Sequence, residues 1–153
     1  MEKIVVASKT VSSVSAGRGR KLTPPLQGAP LEAYLEVRSQ TETLARPITS
    51  EDAQVQTMRD VSPTKWHLGH TSWFFETFLL EERAGYQRAV PEFRVLFNSY
   101  YNTVGPQHPR PRRGFLTRPL LSEVYEYRRR VDAGIIRLTE EALEPEVERL
   151  AGL

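Results

Sequence analysis

Ser62-Pro63-Thr64-Lys65-Trp66-His67-Leu68-Gly69-His70-Thr71-Ser72-Trp73-Phe74-Phe75-Glu76-Thr77-Phe78-Leu79-Leu80 carries the clearest structural signal in the chain. Ser62 suits the cap of a helix and Pro63 its first position, where a missing N–H costs nothing. Trp66, His70, Trp73, Phe74, Thr77 and Phe78 recur every three or four residues, so they share one face of a helix. A strand would need alternation with a period of two. Gly69 sits inside the run at a cost of ~1 kcal/mol, which points to close packing or to a site nearby.

Outward from this helix the same period recurs. Val124, Tyr127, Val131, Ile135 and Leu138 keep i, i+3/i+4 spacing over a helix that Ser122 would cap, with Leu120 and Leu121 packing at its start. Arg128, Arg129 and Arg130 are expected to face solvent. Pro145 is expected to interrupt this helix after about Leu143, and Glu146–Leu153 would open another, with Leu150 and Leu153 as its first core contacts. On the other side, a helix is expected from Pro30, with Leu31, Leu35 and Leu44 as its apolar stripe, ending before Pro47. Ser50, Glu51 and Asp52 suit a short helical turn. Residues 83–119 hold Pro91, Pro106, Pro109, Pro111 and Pro119 and read as a long irregular connection, which in a compact domain is often functional. The expected fold is all-α: an incomplete four-helix bundle over 30–153, with three full helices, the start of a fourth and a long Pro-rich loop. An unfinished bundle exposes an apolar face and invites a partner.

Composition narrows the function classes. The chain has 153 residues, 39% hydrophobic and 26% charged, with a net charge of +2, which suits one globular domain and makes no case for nucleic acid. Residues 1–29 are rich in Ser, Gly and Pro and carry Lys3, Lys9, Arg18, Arg20 and Lys21 against Glu2 alone; they read as a disordered basic tail. There is no cysteine, so thiolate chemistry and Cys-based zinc sites are excluded. No apolar run approaches the ~20 residues that span a bilayer. The expectation is a cytoplasmic protein that binds neither membrane nor nucleic acid.

His67 and His70 lie three apart on neighbouring positions of one helical face. Such a pair can share a metal, but spacing alone favours two structural histidines with satisfied hydrogen bonds. His70 is the better ligand candidate, because it lies on the aromatic, core-facing stripe that would hold it and keep it dry. His108 lies in the Pro-rich loop and reads as an exposed residue. No combination within the chain makes a three-ligand site, and useful sites want three or four protein ligands. Arg110, Arg112 and Arg113 suit a carboxylate clamp or, equally, a solvated basic loop. Glu76 reads as a salt-bridge or supporting residue. The many Trp, Phe and Tyr side chains are most simply core.

The stretch Ser62–Phe78 closely resembles the DinB-like N-terminal domain of ergothioneine-biosynthesis sulfoxide synthases. So do Leu96-Phe97-Asn98-Ser99-Tyr100-Tyr101-Asn102, Val104-Gly105-Pro106, His108-Pro109-Arg110-Pro111-Arg112-Arg113-Gly114, Thr117-Arg118-Pro119 and Glu126-Tyr127-Arg128 with Val131-Asp132. The resemblance covers roughly residues 31–150. It implies a DinB-type bundle that is joined, in the family, to a C-terminal domain of the sulfatase-modifying-factor type. It implies an iron(II) ion on three histidines, and oxygen-dependent coupling of γ-glutamylcysteine or cysteine to hercynine. By this resemblance the first iron ligand is His70. The other two, from a His-x-x-x-His motif, find no counterpart in the sequence, nor does the domain bearing the family's catalytic tyrosine. Arg112 and Arg113, with Arg110 behind them, are the implied counterparts of the arginines that bind the thiol's carboxylate. The expectation is a fragment that is inactive alone and joins thiol and hercynine only when the remainder of the enzyme, as a separate chain or otherwise, completes it. Two other readings stand beside it: a non-catalytic helical module completed by a partner chain, and a DinB-like metal-dependent thiol transferase.

Overall fold

The computed structural model describes residues 30–151, and side chains from 31 to 141. The order is α1 (Pro30–Ala45), a 3-10 turn (Asp52–Gln54), α2 (Thr64–Phe75), a π-helical turn (Glu76–Leu80), α3 (Phe93–Leu96), a second 3-10 turn (Arg110–Phe115) and α4 (Leu121–Ala151). No strand occurs among the described residues, so the fold is all-α. The tail over residues 1–29 and the contacts of Leu150 and Leu153 lie outside the residues or side chains described.

The long helix α4 is the spine, and α2 and α1 both pack along it. Val124, Tyr127, Val131 and Ile135 form its buried stripe, met by Trp66, Leu68, Trp73 and Leu80. Gly69 is where the expected close approach occurs: a Cβ there would lie 2.3 Å from the Phe97 ring. Beyond Phe75 the helix widens into the π turn, with Glu81 N–H bonded to Glu76 C=O at 2.9 Å. The extra residue per turn sets Glu76, Thr77 and Leu80 inward and leaves Phe78 at the rim, 36% exposed. Phe74, expected on the inner face, is also at the rim.

Several expectations from sequence are corrected. α4 runs unbroken through Pro145, so the described residues hold three long helices and no separate fourth. A proline removes one helical hydrogen bond, and the long packed stretch before it supplies the nucleus that lets the helix continue. Leu35 and Leu44 on α1 are exposed, 38% and 78%. The inner face of α1 instead presents Tyr34, Arg38 and Ala45. Arg38 Nε donates to Asp132 at 2.7 Å and its NH2 to Ser72 at 2.8 Å, while Tyr34 hydroxyl donates to Asp132. Arg128 is fully buried rather than solvated: it donates to Leu68 O at 3.0 Å and Thr71 Oγ1 at 2.9 Å, and pairs with Glu42 at 3.2 Å. It lies on the Val124–Val131 stripe, where α1 and α2 bring the acceptors that a buried cation requires. Arg129 and Arg130 do face solvent, paired with Glu126.

The helix starts also differ in detail. Ser62 does not cap α2; its hydroxyl accepts from Arg113 at 2.8 Å. At α4 the Glu123 carboxylate, not Ser122, accepts the Leu120 N–H at 2.5 Å, half of a capping box. Nor is 83–119 structureless. It holds α3 and a 3-10 turn, and side chains satisfy its backbone: Gln56 donates to Arg110 O at 2.8 Å and Gln54 to Gly114 O at 2.9 Å. Glu76 forms the ion pair expected of it, with Arg88 at 2.6 Å, and also accepts from the hydroxyls of Tyr86 and Tyr127 at 2.8 and 2.6 Å.

Candidate metal-ligand and anion site

His70 projects from the middle of α2 between two indoles. Trp66 stacks on one side, with ring centroids 4.7 Å apart and an interplanar angle of 15°, and Trp73 on the other at 5.6 Å and 18°. The spacing 66, 70, 73 places all three on one helical face. His70 Nδ1 lies 2.7 Å from Phe97 O. A carbonyl only accepts, so Nδ1 carries the proton and the Nε2 lone pair is left without a hydrogen-bond partner among the described residues. Burial, helped by the nearby charges of Arg113 and His67, holds the His70 pKa below its ordinary value despite the Phe97 bond. The ring is therefore oriented and neutral, the form in which imidazole binds a metal.

His70 lines a cavity of about 620 Å³ together with Asp60, Ser62, Ser99, Arg110 and Arg113. Arg113 is 2% exposed. Its guanidinium lies 3.5 Å over the Trp66 ring, and it donates to Ser62 Oγ at 2.8 Å and Ser99 Oγ at 3.3 Å. All these partners are neutral, and its Nε has none among the described residues. Burial, and then the charge of Arg110, pull its pKa down to about 10, so it stays charged at neutral pH. A buried cation lacking a carboxylate is costly, and stacking on an indole offsets only part of that. An incoming carboxylate would complete the set.

Arg110 joins Arg113 at the cavity, its guanidinium 4.5 Å from the Tyr100 ring centroid. Arg112 does not: it is exposed and points elsewhere. The turn over Arg110–Phe115 is 3-10, in which residues i and i+3 eclipse. Positions 110 and 113 therefore share a side, and 112 is turned away by a third of a revolution. His67 stands at the cavity rim, its pKa lowered by partial loss of water and by Arg113. His108 lies apart, half-buried, at a second, apolar cavity of about 600 Å³ floored by Phe93, Leu96 and Tyr127; its Nε2 donates to Arg112 O at 3.2 Å.

Among the described residues no group of three or more His, Cys, Asp or Glu side chains is placed to hold a metal. His70 brings one nitrogen, and a closed site needs more; these residues alone do not make a metal centre. Sequence reading did not single out Ser62, Ser99 or Asp60 for the cavity. No periodic signal marks them, because the turns that bring them there are set by tertiary contacts.

A sequence profile of the DinB superfamily matches residues 33–151. The chain belongs to the DinB superfamily. Domains of this superfamily are generally metal-dependent, which agrees with an uncharged, oriented imidazole facing a cavity. No curated protein matches this DinB-superfamily chain closely enough to be called a relative. Among the described residues of this DinB domain, no helix is long and apolar enough to cross a membrane.

Proposed function

We propose that the chain is the His70-bearing bundle of an iron(II)-dependent sulfoxide synthase, which joins γ-glutamylcysteine or cysteine to hercynine in ergothioneine biosynthesis. In this reading His70 Nε2 is one iron ligand, and the others come from outside the described residues. The observation that carries the reading is one cavity holding both an oriented neutral imidazole and a buried guanidinium with no anionic partner among the described residues. Arg113, with Arg110 beside it, takes the carboxylate of the thiol substrate through charge-assisted bonds strengthened by burial. The 153-residue chain makes no sulfoxide by itself, because a single imidazole holds a divalent metal weakly.

A second reading, a helical module completed by a partner chain, draws support from Phe74, Phe78 and Leu79. These lie exposed beside one another at the end of α2.

The test is product formation, followed by mass spectrometry. The chain is expressed together with the coding sequence that follows its Leu153 codon and is supplied with ferrous iron, oxygen, hercynine and each thiol. Sulfoxide is expected there and not from the 153-residue chain alone. His70→Ala is expected to lower its rate by about 100-fold or more. Sulfoxide made by the chain alone, or made equally well by His70→Ala, overturns the proposal.

A further inference from the structure

The residues that hold the site form a turn of three. Phe97 O accepts from His70 Nδ1, Asn98 O lies 3.5 Å from Arg113 NH2, and Ser99 Oγ accepts from the same nitrogen at 3.3 Å. One short bracket thus touches both the imidazole and the guanidinium. The carbonyls just before it are also taken by α2: Trp73 Nε1 donates to Arg94 O at 3.0 Å and Trp66 Nε1 to Leu96 O at 2.9 Å. Three ring N–H groups at positions 66, 70 and 73 therefore meet carbonyls at the C-terminal end of α3, where helical carbonyls lack partners of their own. The Phe97 ring fills the space over Gly69, one residue before His70.

Something must hold this bracket, because the chain turns sharply straight after it. Tyr100 has φ of 61°, in the left-handed region that costs a non-glycine residue ~1–3 kcal/mol and persists only when its surroundings impose it. Gln107 Oε1 accepts the Tyr100 N–H at 3.2 Å and Asn102 N–H donates to Tyr100 O at 3.0 Å, while Asn98 ties the flanks of the turn together. Its side chain is fully buried, and its amide nitrogen lies 3.0 Å from Gly105 O and 3.2 Å from both Tyr101 O and Pro106 O. Two N–H donors shared among three carbonyls also fix which way the amide faces, since the flipped oxygen would oppose all three.

We propose that Asn98 is a positioning residue: by stapling the loop through Pro106 it aims Phe97 O at His70, and so decides that Nε2 is the nitrogen open to the cavity. The Asn98 side chain bonds neither the His70 ring nor the Arg113 guanidinium; it acts through the backbone. The functional meaning rests on the His70 reading above, but the tautomer is a property of the chain without any metal.

The experiment is nitrogen-15 NMR of the histidine rings in the full 153-residue chain, with no metal added and His70 assigned by its loss in His70→Gln. The wild type is expected to show a single Nδ1–H tautomer at His70. Asn98→Ala is expected to replace that pattern with the averaged signals of two exchanging tautomers, while the helical circular dichroism is kept. Asn98→Ser retains one donor and should fall between; it covers a failure of the alanine variant to fold. A wild type with the proton on Nε2, or folded variants that keep the single Nδ1–H pattern, overturns the inference. Absence of sulfoxide in the activity assay with this tautomer result intact would instead count against the proposed function alone.

Discussion

At the scale of single residues, His70 and Gly69 are two positions that the sequence singles out inside one helix. The folded chain favours the neutral His70 ring, mainly through burial, so the unfolded chain binds the proton first as pH falls. Stability from this group is complete above its ordinary pKa of about 6.5 and is lost as pH falls from there toward the lower folded value. The thermal midpoint is therefore expected to drop on going from about pH 7.5 to about pH 5.5, the range over which histidine titrates. His70→Gln should make that drop shallower, and an equal drop in the variant would refute the assignment. Gly69→Ala is expected to cost about 1–3 kcal/mol in urea unfolding, since the new methyl would overlap the Phe97 ring and force it aside. Arg113 and Arg112 look identical as neighbours in sequence. Only the 3-10 geometry of their turn separates a cavity residue from a solvated one.

At the scale of elements, the apolar stripe of α4 at Val124, Tyr127, Val131 and Ile135 is buried as its spacing predicts, and α2 buries Trp66 and Trp73 but leaves Phe74 and Phe78 at the rim. The stripe read for α1 holds at Leu31, which packs on the core, and fails at Leu35 and Leu44 for a physical reason. Beyond its first turn this helix is held by polar contacts, Arg38 and Tyr34 to Asp132 and Glu42 to Arg128, so Leu35 and Leu44 do not mark its inner face. Arg38→Leu would leave Asp132 without its ion-pair partner and Ser72 without its donor. It is expected to destabilise the protein by about 3–5 kcal/mol, with amide exchange accelerated in α1 before α2 and α4. Uniform acceleration of all three helices would show that α1 does not open as a separate unit. The π turn was likewise hidden in sequence. Nothing in Glu76–Leu80 announces it; the demand comes from Glu76 meeting Arg88, Tyr86 and Tyr127 at once.

At the scale of the whole molecule, the cavity gathers α2, the turn after α3 and the 3-10 turn that precedes α4. Its Arg113 end, proposed to take a carboxylate, gives a prediction independent of metal. Cysteine should perturb the amide signals of Ser99 and Arg113, whereas cysteamine, which lacks the carboxylate, should not. Arg113→Ala should weaken the cysteine response by about 10- to 100-fold, the loss of one charge-assisted pairing worth roughly 1.5–3 kcal/mol. Arg112→Ala should leave it unchanged, and an equal loss in both variants would refute the division between them. Sequence alone determined the all-α class, the helix bearing His70 and the face that this imidazole shares with Trp66 and Trp73. Each follows from interactions within one helix turn, where spacing along the chain is distance in space. Tertiary structure decided which arginine enters the cavity, which nitrogen of His70 stays open, that Arg128 is buried and that α4 runs past Pro145. Those depend on partners tens of residues away, whose positions no local period encodes.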